Sequence, residues 1–333
     1  MKRWLAAVAL VVCLVGPAHA GLDAAAVNTA DWKGKAPPKD KLDPAIVRLQ
    51  VLLDRAGFSP GEIDGKLGEN AVKALRAFAE ARSLAFDGRT PTAEIWNALI
   101  ATSSDPVIVD YKIAEKDVKG PFLQKLPAKM EDMQGLKSLD YTSQREAIAE
   151  KFHMSEALLE ALNPGKKLDE AGQPISVVNI VTKEGKPTVA RVEVDKVRQT
   201  VKVLGSSGEL IAFFPATVGS KEKPTPSGGL KISSIDANPH YGYNPDYKFR
   251  GVRTKRAFTI NHGPNNPAGT WWIGLSSEGY GIHGTPNPSK ISKAESHGCV
   301  RLTNWDAGRL AKLVKKGMEV AFIEDMATKR KRD

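Results

Sequence analysis

The sequence predicts a multidomain chain: a small all-α module, a small α/β segment, and a mostly β domain with one helix near its end. Three observations carry this. At 333 residues the chain is long for a single hydrophobic core. Apolar residues recur at helical spacing through 42–101 and again through 139–181. After about Pro187 the period falls to two, and prolines and glycines punctuate the chain as far as Gly284.

The amino terminus reads Met1-Lys2-Arg3, then an apolar run from Trp4 to Val15, then Gly16-Pro17-Ala18-His19-Ala20. A basic start, a short apolar stretch and an Ala-x-Ala ending predict a secretory signal peptide over 1–20. The run is too short to span a bilayer, and the Gly-Pro after it argues against an uncleaved anchor. The expected location is therefore outside the cytoplasm, in the periplasm or cell wall. No second long apolar stretch follows, so no transmembrane segment is expected after cleavage. Of the two cysteines, Cys13 leaves with the signal and Cys299 remains. A lone thiol in an oxidising compartment has no internal disulfide partner: it is an intermolecular partner, a reactive group or an accident.

The formal charge of +10, which falls by two when Lys2 and Arg3 leave with the signal, suits a polyanionic surface: a cell wall, anionic lipid or nucleic acid. No nucleic-acid-binding signature accompanies it, and export argues against such a partner. Much of the excess sits in solvated runs, Lys39-Asp40-Lys41 and the basic tail 326–333 with Lys329-Arg330-Lys331-Arg332. Charge alone does not choose a function.

The stretch 21–41 is poor in apolar residues and contains Lys33-Gly34-Lys35-Ala36-Pro37-Pro38-Lys39, which predicts a flexible linker. In 42–101, Ile46, Leu49 and Leu53 mark one helix that stops at Gly57. Val72, Leu75 and Phe78 mark a second, and Ile95, Trp96 and Leu99 a short third. Ser59-Pro60-Gly61-Glu62-Ile63-Asp64-Gly65 separates the first two, and Phe86-Asp87-Gly88 follows the second. This order resembles the three-helix peptidoglycan-binding module. It departs at Asn70, where a Thr usually opens the second helix, and at Ala79, where Gln is usual. Either the module binds the wall or it is a helical spacer whose binding surface has drifted.

In 139–181, Ile148-Ala149-Glu150-Lys151-Phe152-His153-Met154-Ser155 leads to Leu158-Leu159-Glu160-Ala161-Leu162-Asn163-Pro164 and a short apolar run from Ile175. The stretch resembles a degenerate LysM motif, with Ser143-Gln144 near the point where Gly-Asp usually stands. His153 reads as a surface or packing residue.

The third piece spans 187–325. Val189, Arg191 and Glu193 alternate with residues of opposite character, and short apolar runs follow at 200–204 and 210–218 around the turn Gly205-Ser206-Ser207-Gly208. Near the end, Thr303 with Asp306 three residues on predicts a helix start. Leu310, Leu313 and Val314 supply its apolar face and Gly317 its stop. A last strand at 319–323 is expected to close the sheet.

Two loop segments carry the chemistry: Tyr280-Gly281-Ile282-His283-Gly284-Thr285 and Ser296-His297-Gly298-Cys299-Val300-Arg301-Leu302. A thiol with a reference pKa of about 8.5 is mostly neutral at pH 7, whereas the thiolate is the attacking species. An imidazole can take that proton and return it to a leaving amine; by chemistry alone, His283 and His297 both qualify. Gly284 and Gly298 permit close backbone approach, and N–H groups around Gly298 and Cys299 can line an oxyanion hole. A zinc site on Cys299, His297 and His283 is the first rival, but His297-Gly298-Cys299 is tighter than usual zinc spacings and no acidic ligand motif accompanies it. No metal or cofactor is expected. Papain-like wall peptidases place Cys before His; here His283 comes first.

These residues strongly resemble the L,D-transpeptidase catalytic domain of the YkuD type, a β-sandwich. The likeness extends upstream through Pro224-Thr225-Pro226-Ser227-Gly228, Gly263-Pro264-Asn265-Asn266-Pro267-Ala268-Gly269 and Trp271-Trp272-Ile273. The resemblance implies that Cys299 is the nucleophile and His283 the general base, with the Gly284 carbonyl steadying the ring. It also implies that Ser296, His297, Gly298 and Arg301 shape the acyl pocket or its support. The substrate it implies is the peptidoglycan stem peptide: a Cys299 thioester forms with the third residue and releases the terminal D-Ala. The acceptor is then a side-chain amine of another stem, giving a 3→3 cross-link, or a wall-anchored lipoprotein amine. Water as acceptor would make the site a carboxypeptidase, and a non-catalytic wall-binding scaffold is the remaining alternative. His240, His262, Tyr241, Tyr243 and Trp271-Trp272 either line the cleft or pack the domain.

Overall fold

A computed structural model describes residues 22–38, 40–181, 185, 187–219, 224–247, 254–294, 296 and 298–324. The signal-peptide reading of 1–20 and the basic tail 326–333 lie outside the described residues. Four helices open the chain: α1 Ala24–Thr29, α2 Pro44–Arg55, α3 Glu69–Ala81 and α4 Ala93–Ile100. Asp43 caps α2 by accepting from the Ala45 and Ile46 N–H groups, Pro44 fills the first turn, and Thr92 caps α4. The predicted apolar stripes face inward: Leu49, Leu53, Leu75, Phe78, Ile95 and Leu99 are all fully buried.

The flexible-linker reading of 21–41 is corrected for its first part, residues 22–29. Val27 of α1 is fully buried, and Asn28 accepts from the Val107 and Ile108 N–H groups at 2.8 Å each. Leu22 N donates to the Ala161 carbonyl at 2.7 Å. Sparse apolar content conceals an element fixed by one buried valine and one bidentate amide.

The second piece pairs β1 Ile108–Lys112 antiparallel with β2 Pro174–Val178, Ile108 opposite Val178 and Lys112 opposite Pro174. Between them run α5 Glu115–Lys119, α6 Gln144–Lys151 and α7 Glu156–Leu162, the last two capped by Ser143 and Ser155. The unit therefore reaches back beyond the expected boundary at 139. β1 escaped notice because its pairing partner lies far downstream and it carries two charged residues, Asp110 and Lys112.

The third piece contains β3 Val189–Asp195, β4 Thr200–Gly205, β5 Leu210–Pro215, β6 Gly228–Ala237, β7 Tyr241–Tyr243, β8 Phe258–Ile260, β9 Trp271–Leu275, β10 Gly281–His283, β11 Val300–Arg301, α8 Asn304–Leu313 and β12 Glu319–Ile323. Eight strands form one mixed sheet in the order β11-β10-β9-β6-β12-β3-β4-β5. Long strand β6 belongs to both halves: Gly228 to Lys231 pair with β12, and Ile232 to Ala237 with β9. The two halves share one core, in which Val192, Val203 and Phe214 meet Ile273, Ile282 and Val300, so the expected sandwich is one sheet curled on itself. β12 is an inner strand, antiparallel to β6 and parallel to β3, where the sequence suggested only a closing strand. α8 starts where Thr303 Oγ1 accepts from Asp306 N at 3.1 Å and buries Ala307 and Leu310.

The pieces lock together. Edge strand β5 is covered by the first module: Ser59 N donates to Phe213 O and Phe213 N to Gly57 O, both at 2.9 Å, and Phe213 joins the helical core. Ile63 N donates to His153 O at 2.8 Å, and Ser155 N to Ile63 O at 2.9 Å. His153 stacks on Trp305 of α8 at 5.1 Å and meets buried Asp54 at 3.2 Å. Arg309 Nη1 reaches the Asp54 carbonyl at 2.9 Å, and Ser59 Oγ donates to Asp306 at 2.8 Å.

Candidate active site

The site grows from strand register. Asp236 of β6 sits opposite Trp272 of β9, Trp272 opposite His283 of β10, and His283 opposite Arg301 of β11. Cross-strand partners project to one face, so the four side chains form a row across four strands. All four line a cavity of about 580 Å³ that Cys299 enters from the residue before β11. The return loop is pinned on both sides of the thiol. Arg301 and Thr217 exchange backbone hydrogen bonds of 2.8 and 2.9 Å, Ser296 N donates to Val218 O at 3.0 Å, and Ser296 Oγ donates to the Cys299 carbonyl. Gly298 adopts φ +101°, a conformation a side chain would disfavour, as the chain turns into Cys299.

His283 is 5% exposed, and its Nδ1 faces the Gly284 carbonyl at 2.7 Å. An acceptor at Nδ1 places the proton there and leaves Nε2 as the basic nitrogen. Trp272 stacks on the ring at 5.5 Å and 24°. Burial, then the Arg301 charge, push the His283 pKa down to about 4 against the opposing pull of the Gly284 and Ala268 carbonyls. The imidazole is therefore neutral near pH 7. Burial lowers the Arg301 pKa as well, opposed by the anionic forms of Cys299 and Tyr241. The Cys299 thiol is half-buried and donates to the Gly279 carbonyl at 3.6 Å.

Gly284 owes its identity to crowding. A Cβ there would lie 2.3 Å from Asn304 Oδ1; one on Gly269, at φ +62°, would lie 2.1 Å from the same atom and 2.6 Å from the Gly284 carbonyl carbon. Asn304 is itself fixed, Oδ1 accepting from Thr270 N at 3.1 Å and Nδ2 donating to Pro264 O at 3.1 Å and to Glu150 at 3.0 Å. Glu150 comes from α6, outside the β domain. Its carboxyl is buried, which raises its pKa to about 7 despite the Asn304 hydrogen bond.

Of the residues singled out in the sequence, the structure brings Cys299, His283 and Arg301 to one cavity, places Gly284 against the His283 ring, and sets Ser296 and Gly298 in the loop that presents the thiol. His297 lies outside the described residues. His240 and Tyr241 line the cavity, His240 meeting His262 edge-on at 5.6 Å, whereas Tyr243 is buried. Sequence reasoning missed Asp236, Asn304, Glu150 and Met130, the last lining the cavity from a 3₁₀ turn at Met130–Met133. Asp236 needed the register of β6, which alternation alone does not supply. Met130 lies in a stretch without periodicity.

Two family models match the first and third pieces. The family model described as L,D-transpeptidase catalytic domain, YkuD, matches residues 190–322, and that described as "Putative peptidoglycan binding domain" matches 43–99. The chain is 32% identical over 179 residues to "Putative L,D-transpeptidase YkuD" of Bacillus licheniformis, covering 53% of this chain and 92% of that protein. Its Bacillus subtilis namesake is 29% identical over 177 residues, covering 53% and 91%. A solved L,D-transpeptidase structure from Xylanimonas cellulosilytica aligns over 88% of this chain and 100% of that one, at 15% identity and a TM-score of 0.40. The sequence matches define an enzyme whose substrate is peptidoglycan. The chain belongs to the L,D-transpeptidase family of the YkuD type.

Proposed function

We propose that Cys299 is the nucleophile and His283 the general base of this L,D-transpeptidase. The observation that carries the assignment is a buried, neutral imidazole on the same cavity as the thiol, its Nδ1 already committed to Gly284. The thiol turns from Gly279 toward His283, and Nε2 takes its proton. The thiolate attacks the carbonyl of the third stem residue, and N–H groups around Gly298 and Cys299 receive the oxyanion. The transient imidazolium is held by the Gly284 and Ala268 carbonyls and returns its proton to the departing D-Ala amine, leaving a thioester on Cys299. A side-chain amine of a second stem loses a proton to His283 and attacks the thioester; the C–S bond breaks, the 3→3 amide forms, and the departing Cys299 thiolate takes the proton back from His283. A wall-anchored lipoprotein amine fits the same step. Gly284 steadies the ring, Ser296 and Gly298 set the loop, and Arg301 supports the thiolate; His297 joins them by resemblance.

Action on peptidoglycan and the 1–20 leader pattern support a periplasmic or wall-facing location. For the module at 42–101, wall contact falls on surfaces other than the part of its 59–65 loop in which Ser59 and Gly61 face the β domain and Ile63 pairs beside Met154 of the second piece. The LysM-like reading of 139–181 is supported by two capped helices beside a two-stranded sheet. Incubation with tetrapeptide-bearing muropeptides and analysis of the products tests the proposal. Cross-linked dimers are expected; tripeptides alone would make water the acceptor, and unchanged substrate would contradict the reading.

A further inference from the structure

The row Asp236–Trp272–His283–Arg301 has opposite charges at its two ends. Asp236 is the only carboxylate among the described residues lining the cavity, and Ser234 Oγ, donating to its Oδ2 at 2.7 Å, sets its orientation. Two strand intervals of about 4.8 Å each separate it from His283, so roughly 10 Å lies between their backbones.

The reaction itself says what this carboxylate meets. A 3→3 cross-link uses an amine on the side chain of the acceptor's third residue. Donor and acceptor are stems of one kind, so the donor's third residue carries the same amine. When that residue is acylated on Cys299, its own amine must sit somewhere in the cleft. With a pKa of about 10.4, an alkylamine there is a cation near pH 7. A four-carbon side chain reaches roughly 6 Å from its Cα, and an aspartate carboxylate stands about 3 Å off its own backbone, so a donor whose third-residue Cα lies over the His283 end of the row brings amine and carboxylate together. The attacking amine of the acceptor must be at the thioester, too far away to engage the same carboxylate.

We infer that Asp236 is a specificity residue that binds the side-chain ammonium of the donor's third residue. This rests on the proposed Cys299 acylation and adds a recognition subsite to it. The pair also holds the donor's amine away from its own thioester, leaving the bond to the incoming stem. Because Asp236 is solvent-exposed, the attraction is modest and weakens with salt.

The test compares two tetrapeptide donors on the full chain, one with an amine-bearing third residue and one with an uncharged alkyl side chain of equal length. Wild-type protein is expected to prefer the first through KM, with similar kcat. In Asp236→Asn the ratio of the two KM values should fall about fivefold, Asp236→Glu should recover part of it, and added salt should shrink the wild-type preference. An unchanged ratio in Asp236→Asn, or an equal loss on both donors, would overturn the inference. Failure of the parent reading looks different: wild-type protein would then turn over neither donor.

Discussion

One missing methyl group governs the orientation of the imidazole. Gly284 contributes the carbonyl that holds His283 Nδ1, and Asn304 Oδ1 occupies the space that a Cβ at 284 would fill. In Gly284→Ala either the hydrogen-bonded Asn304 side chain or the backbone at 284 must shift, with an overpacking cost of about 1–3 kcal/mol. Catalytic geometry tolerates less than stability does. We expect kcat to fall at least tenfold with KM within about twofold, read by steady-state kinetics on a tetrapeptide donor; wild-type kinetics would show that the carbonyl does not orient the ring. The thiol, imidazole and flanking glycines were legible because they lie in two contiguous motifs. Asn304 and Asp236 were not, because their roles arise from a loop contact and a strand register between residues distant in sequence.

Elements show the same division. Helices α2, α3, α4 and α8 were legible from apolar spacing, α8 also from its Thr303 cap, since each buries one face that its own sequence defines. Strand β1, helix α1 and the inner position of β12 were not, because long-range partners settle them. Helix α6 couples these scales. Its Glu150 reaches Asn304 of α8, and burial, with the charge of Glu146 nearby, disfavours the ionised form. Its pKa is raised from about 4.5 to about 7, so folding prefers it protonated. The stability this contributes is complete below pH 4.5 and is lost as pH rises through 7. Glu150→Gln keeps a neutral hydrogen-bonding group and removes that dependence. Thermal melts should find the variant matched to wild type near pH 5 and higher by about 5 °C near pH 8.5. A difference independent of pH would contradict the assignment.

At the scale of the whole molecule, the amino-terminal pieces are built into the enzyme. Residues 57–59 cover the edge of β5, Phe213 of the β domain packs into the helical core, and His153, Asp54, Trp305 and Arg309 join all three pieces. The sequence suggested modules in series, because composition reports each core and is silent on how cores meet. Among the described residues no helix is long and apolar enough to cross a membrane. What this assembly presents is a cleft that holds the Cys299 thiol, and the proposed transfer requires the acylation of that thiol. Intact-protein mass spectrometry after incubation with a carbapenem, followed by peptide mapping, measures it directly. A single stoichiometric adduct on the peptide containing Cys299, absent in Cys299→Ala, is the predicted result. Unmodified wild-type protein, or an adduct that persists in Cys299→Ala, would contradict the account.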